Sequence, residues 1–135
     1  MSQENVEIVR AGIEAYNRRD LGGMLEHASP DLVWDMSRAI GPDRGVFGLA
    51  EFRSWVEDLW AAFAAIRLEA HEYIEVGEQV VVPVTAHGRG RDGIEVVSRP
   101  TLVWTIRDGA IERVSMYQER QDALEAVGLS GQPPD

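Results

Sequence analysis

Apolar side chains recur at helical spacing at the start of the chain, at Val6, Val9, Ile13 and Tyr16, with Ile8, Gly12 and Ala15 alongside. That spacing predicts a helix over 3–19, capped by Ser2, with Glu4, Glu7, Arg10, Glu14 and Arg18 on its wet face. Asp20 stands where it caps a short second helix over 21–27, and Ser29-Pro30-Asp31 breaks that helix. The period then changes to two: Leu32, Trp34 and Met36 share one face of a strand over 32–36. Residues 37–48 read as a loop, with Gly41, Pro42, Asp43, Gly45 and Gly48. Phe52, Trp55, Val56, Leu59, Trp60 and Phe63 then wrap one face of a third helix over 49–65, opposite Glu51, Arg53, Glu57 and Asp58.

Beyond that helix, β-branched and aromatic residues alternate with polar ones. They predict strands over 67–76, 79–89, 94–107 and 110–120, with turns at Gly77-Glu78, Arg91-Asp92-Gly93 and Asp108-Gly109. In the last turn glycine reaches positive φ without a Cβ clash. A short helix over 122–129 closes on Gly128, and 130–135 is expected to fray. Helices first and a strand meander after point to a sheet curled around a pocket. No repeat or linker divides the chain, so one domain over 1–129 is expected.

A length of 135 residues suits one core, and a 44% hydrophobic share argues against disorder. The chain has no cysteine, which excludes disulfides, thiolate metal sites and cysteine nucleophiles and fits a reducing cytoplasm. Met-Ser-Gln-Glu-Asn carries no basic region followed by an apolar run, so no signal peptide is expected. No apolar stretch approaches the ~20 residues that span a bilayer. A net charge of −10 argues against nucleic acid or anionic membrane as partner.

Several segments resemble the SnoaL-like branch of the nuclear-transport-factor-2-like superfamily. Tyr16-Asn17-Arg18-Arg19-Asp20-Leu21 is similar to the end of that family's first helix and its cap. Pro30-Asp31-Leu32-Val33-Trp34 is similar to its first strand entry, and Phe47-Gly48-Leu49-Ala50-Glu51-Phe52 to the start of its third helix. Val103-Trp104-Thr105-Ile106-Arg107-Asp108-Gly109 and Tyr117-Gln118-Glu119-Arg120 resemble its last hairpin, and Ala123-Leu124-Glu125-Ala126-Val127-Gly128-Leu129 a tail common among some members. The resemblance implies an α+β, cystatin-like cone. This is an open barrel in which a strongly curved antiparallel sheet packs on about three helices and leaves a cavity at its wide end. It also implies a homodimer through the outer sheet face, with Val97, Arg99, Thr101, Val103, Thr105, Arg113, Ser115 and Tyr117 contributing. The family holds isomerases, hydrolases, dehydratases, cyclases and non-catalytic domains, so fold leaves function open.

Ketosteroid isomerase chemistry needs a carboxylate base and two oxyanion donors. The positions that the resemblance assigns to them hold Gly12, Met36 and Leu102, none of which can act. Cyclase or hydrolase chemistry needs at least one ionisable group tuned by burial. Asp35, His87 and Glu119 are the candidate catalytic residues, and His71 and Arg99 read as exposed or paired. Glu69 and His71 stand at i, i+2, but no adjoining residue completes a metal set, and no cofactor is expected. Gly88, Gly90 and Gly93 lack the following helix that a phosphate loop requires.

By the register of the resemblance, Trp34, Met36, Leu102, Trp104, Val114, Met116 and Gln118 face inward. Tyr16, Trp55 and Phe63 complete the expected ligand-binding set. This lining is apolar, adaptable through its methionines, and suited to a flat hydrophobic small molecule, with Gln118 to orient it. Three functions stay open: a binding protein without chemistry, a cofactor-free cyclase, isomerase or hydrolase acting on a polyketide- or steroid-like substrate, and a dimerising interaction module.

Overall fold

In a computed structural model of the protein, residues 2–40 and 44–129 are described. Positions 41–43 of the expected loop, and the tail expected to fray, lie outside these residues. The chain runs α1 (Ser2–Asn17), α2 (Leu21–Met24), β1 (Ala28–Met36), β2 (Gly45–Phe47), α3 (Leu49–Ala62), β3 (Phe63–Ala70), β4 (Ile74–Val76), β5 (Gln79–Gly90), β6 (Glu95–Ser98), β7 (Thr101–Arg107), β8 (Ala110–Tyr117) and α4 (Arg120–Ala126). No helix among the described residues is long and apolar enough to cross a membrane.

The apolar stripe of α1 is buried as its period requires, at Val9, Ile13 and Tyr16. Past its end, Arg19 takes a left-handed φ of 58° and donates to the carbonyls of Trp60, at 2.7 Å, and Phe63, at 2.9 Å. One arginine thus ties the end of α1 to the end of α3. Asn17 works on the open edge of the sheet. Its amide donates to the Leu68 carbonyl at 2.9 Å and accepts from the Leu68 N–H at 2.8 Å, standing in for a neighbouring strand. At the start of α3 the Glu51 carboxylate accepts from the Gly48 N–H at 3.1 Å, one half of a capping box.

The strands form one eight-stranded sheet, ordered β2-β1-β8-β7-β5-β3, with β4 and β6 paired to β5. The meander is antiparallel, but β1 lies parallel to β8, so the sheet is mixed. Register shifts in β1, β3 and β7 accommodate its curvature. The sheet does not close. It curls around α1 and α3, and its concave face carries the main core. On the outer face α4 covers a second, smaller cluster, in which Ala123 packs with Val81 and Val103.

Several elements differ from the sequence expectation. The second helix ends at Met24 rather than at 27, and β1 begins at Ala28, so that Ser29-Pro30-Asp31 lies inside the strand and not in a break before it. The third helix stops at Ala62 because Phe63 is extended and pairs with Gly90 of β5. Its alanine-rich end has helical propensity, and strand pairing overrides it. The strand expected over 67–76 is β3 and β4, separated at 71–73. The strand expected over 94–107 breaks at Arg99-Pro100 into β6 and β7, where proline has no N–H for the ladder. β2, inside the expected loop, has only three residues and is set by its pairing with β1, Trp34 against Phe47.

Candidate functional site

A cavity of about 400 Å³ opens between the concave sheet face and the helices. The period-two strands aim alternate residues at it: Trp34 and Met36 from β1, Val84, Ala86 and Gly88 from β5, and Leu102 and Trp104 from β7. Met116 of β8 and the following Gln118 continue the wall. Gly12, Ile13 and Tyr16 of α1, Trp55 and Leu59 of α3, and Phe63 close the opposite side. The rings brace one another. Trp34 stacks on Phe52 at 4.2 Å between centroids and meets Trp104 edge-on at 6.0 Å, and Phe47 stacks on Trp55 at 5.8 Å. Such pairs add to the burial of the rings themselves.

Of the ten expected ligand-binding residues, Tyr16, Trp34, Met36, Trp55, Phe63, Leu102, Trp104, Met116 and Gln118 border the cavity. Val114 does not. It is fully buried opposite Trp104 and belongs to the packed core. Gln118 borders the cavity, but its amide Nε2 already donates to the Arg38 carbonyl at 2.7 Å. It therefore fastens the segment after β1 as well as contributing wall.

The three candidate catalytic residues do not gather in the cavity. Glu119 is exposed at the N-terminus of α4. His87 borders the cavity, but alternation along β5 aims Ala86 and Gly88 inward and His87 outward with Thr85. There its Nε2 lies 3.1 Å from a Glu69 carboxylate oxygen. Asp35 also faces outward, opposite Met36 in the pleat, and is 5% exposed. His71 bonds the Thr85 hydroxyl at 2.6 Å. Among the described residues no three His, Asp or Glu side chains converge to hold a metal.

Asp35 is instead the centre of a fastening on the outer face. It accepts from the Ser37 N–H at 2.9 Å, the Ser37 hydroxyl at 2.6 Å and Arg113 at 2.7 Å, while Arg38 stands at 3.5 Å. The Arg38 guanidinium also lies over the Tyr117 ring, 4.1 Å from its centroid. Burial pushes the Asp35 carboxyl up. The hydrogen bonds from Ser37 and Arg113 and the charge of Arg38 outweigh it and hold the group below its ordinary value. A depressed folded value means that the carboxylate stabilises the fold fully above its unfolded pKa of about 4. The contribution is lost as pH falls through the lower folded value. Asp35→Asn is therefore expected to cost about 1–3 kcal/mol at neutral pH. In denaturation series the gap to the parent protein should close in acid, and a gap that stays constant with pH contradicts the assignment.

Several wall positions were not singled out from the sequence. Val84, Ala86 and Gly88 follow the alternation of β5, so their period was the available signal. Gly12 was visible only as a residue unable to act as an isomerase donor, yet it sits under Trp104, where an added Cβ would lie 3.5 Å from the ring. Met24 and Ile66 carry no local mark of a cavity.

No curated protein matches the chain. Solved structures match its fold. An NTF2-like protein of unknown function from Burkholderia pseudomallei is 27% identical, with a TM-score of 0.73 over 93% of this chain and 98% of that one. TerC, co-crystallized with polyporic acid, is 24% identical, with a TM-score of 0.75 over 92% of this chain and 98% of its own. A Mycobacterium tuberculosis protein in complex with estradiol-17beta-hemisuccinate is 14% identical, with a TM-score of 0.75 over 86% of this chain and 94% of its own. In sequence, the SnoaL-like domain profile matches residues 9–114. The mixed cone, its ring-lined cavity and this match over most of the chain establish that the protein belongs to the SnoaL-like domain family.

Proposed function

We propose that the protein binds a flat, hydrophobic small molecule in the cone. The observation that carries this reading is the character of the wall: aromatic and aliphatic side chains enclose about 400 Å³, and among the described residues no carboxylate or guanidinium borders it. That volume is within the usual range for small-molecule sites, which are mostly apolar with few polar groups. Proton transfer in a cyclase, isomerase or hydrolase needs a group within hydrogen-bond reach of the substrate. Asp35 and Glu119 lie outside the wall, and the His87 ring turns to Glu69. Polyporic acid with TerC and estradiol-17beta-hemisuccinate with the M. tuberculosis protein are consistent with a cone that takes such molecules.

Trp34, Trp55 and Trp104 border the cavity, so occupancy should be read by their fluorescence. Titration with 9-fluorenone, a flat tricyclic ketone, is expected to quench it saturably at micromolar concentrations. Quenching that grows linearly without saturation overturns the reading.

We propose further that two copies associate. Thr101, Val103 and Ser115 of the expected seam are already buried within the chain, Val103 beneath α4. The seam therefore moves to the half of the outer face around β6, where Val97 is 50% exposed. Sedimentation at micromolar concentration should give a dimer, and a monomer there excludes this seam.

A further inference from the structure

Large apolar side chains are exposed at few places among the described residues, and three of them, Ile94, Val96 and Val97, stand in one stretch at β6. β6 is exposed along its whole length, with a valine on each face. On one side it pairs with β5. On the other side β8 ends at Tyr117, opposite Thr101 of β7, and stops short of β6. The far edge of β6 is therefore bare among the described residues. A bare edge with apolar side chains is a template for another strand.

Register decides which backbone groups that edge offers. The Gly90 N–H donates to the Ile94 carbonyl at 2.8 Å, and the Val84 N–H donates to the Pro100 carbonyl at 3.0 Å. Hydrogen-bonded positions alternate along an antiparallel ladder. Ile94, Val96, Ser98 and Pro100 thus turn their main-chain groups towards β5, and Glu95, Val97 and Arg99 turn theirs to the bare edge. Pro100, which lacks an N–H, does not blunt that edge. The side chains of Glu95, Val97 and Arg99 share the outer face. Glu95 and Arg99 are exposed, and neither makes an ion pair or side-chain hydrogen bond among the described residues, although Arg89 stands opposite Glu95 on β5.

An antiparallel copy of β6 centred on Val97 fits this edge. It sets Val97 against the partner's Val97 and each Glu95 against the partner's Arg99. Free main-chain groups and opposite charges match in the same register. The charges matter because each copy carries a net −10, so that copies repel at a distance.

We propose that two copies join edge to edge through β6 into one continuous sheet, with a two-fold axis at Val97. This rests on the association proposed above and supplies its geometry. The axis stands perpendicular to the sheet, so both inner faces stay on one side. Val96 and Ser98, which border the cavity, then lie beside the partner's Ser98 and Val96, and the wall runs on into the second copy.

Charge exchange tests the register. Glu95→Arg sets arginine against arginine across the seam, and Arg99→Glu sets glutamate against glutamate. In sedimentation each variant alone is expected to dissociate about tenfold more readily than the parent, since like charges directly opposite are destabilising. An equal mixture restores opposite charges at both positions and should form a heterodimer with parental affinity. Hydrogen exchange separates edge pairing from a contact between faces. The Val97 amide has no use inside the chain, so it should exchange slowly in the parent and the mixture and fast in each variant alone. Fluorenone affinity should fall in each variant alone and return on mixing, and affinity that ignores mixing overturns the shared wall. If the parent is a dimer but its Val97 amide exchanges freely, or both variants stay dimeric, edge pairing is wrong while association stands. If the parent is a monomer, both fall together.

Discussion

Gly12→Leu is expected to abolish binding of fluorenone, by 100-fold or more, in a protein at least as stable as the parent. Gly12 lies inside α1 and borders the cavity. A Cβ there would sit 3.5 and 3.7 Å from carbons of the Trp104 ring, ordinary contact that displaces nothing. The rest of a leucine side chain then has to run along the indole into the space a ligand would fill. A 100-fold loss corresponds to about 2.7 kcal/mol. The helix gains from the same change, because glycine in a helix interior costs about 0.5–1 kcal/mol relative to alanine. Stability and binding should therefore move in opposite directions. Gly12→Ala is the control, with the helical gain and near-normal binding. Fluorescence titration beside urea denaturation reads both effects. A leucine variant that binds like the parent shows that the ligand does not use this cavity.

Phe52→Ala should produce the largest loss of stability, about 3–5 kcal/mol. Phe52 is fully buried on α3 and stacks on Trp34 at 4.2 Å. It does not border the cavity, so its role is to hold the ring that does. Truncation removes a stacked pair and leaves a hole between α3 and β1 that fixed strands cannot close. For a domain whose whole stability is about 5–15 kcal/mol, such a loss approaches unfolding. The urea midpoint should drop with little change in slope, because the surface exposed on unfolding is nearly the same. A loss under about 1 kcal/mol would mean that the site repacks. Binding should weaken as well, since Trp34 loses its support.

The helices and strands were legible because each rests on a local rhythm. The Val9, Ile13 and Tyr16 stripe and the alternation through Leu102 and Trp104 record which side meets the core, and the fold buries those sides. The Asp108-Gly109 turn was legible for a similar reason, and both residues take positive φ, 50° and 78°. The breaks were harder to see. Phe63 leaves the helix for a pairing with Gly90, far along the chain, and β2 has only three residues and is held by its pairing with β1.

The candidate site divides in the same way. Pleat alternation placed Trp34 and Met36 on one face and Asp35 on the other, and Asp35 indeed faces away. Its partner Arg113, 78 residues along the chain, is brought to it by the parallel pairing of β1 with β8. Glu119 and His87 read in sequence as ionisable residues near strand ends. Alternation alone did not reveal that one leads into a surface helix and the other finds Glu69 on the outer face. Sequence by itself determined the main helices, the strand meander and the acidic cysteine-free composition, because periodicity and composition are local properties of the chain, while the cone and its apolar wall were implied by the resemblance to the SnoaL-like family. Tertiary structure alone decided that Asp35 fastens the outer face, that α4 covers Val103, and that the Gln118 amide is tied to the Arg38 carbonyl. Partnership depends on which distant strands are brought side by side, and chain-local patterns do not carry that information.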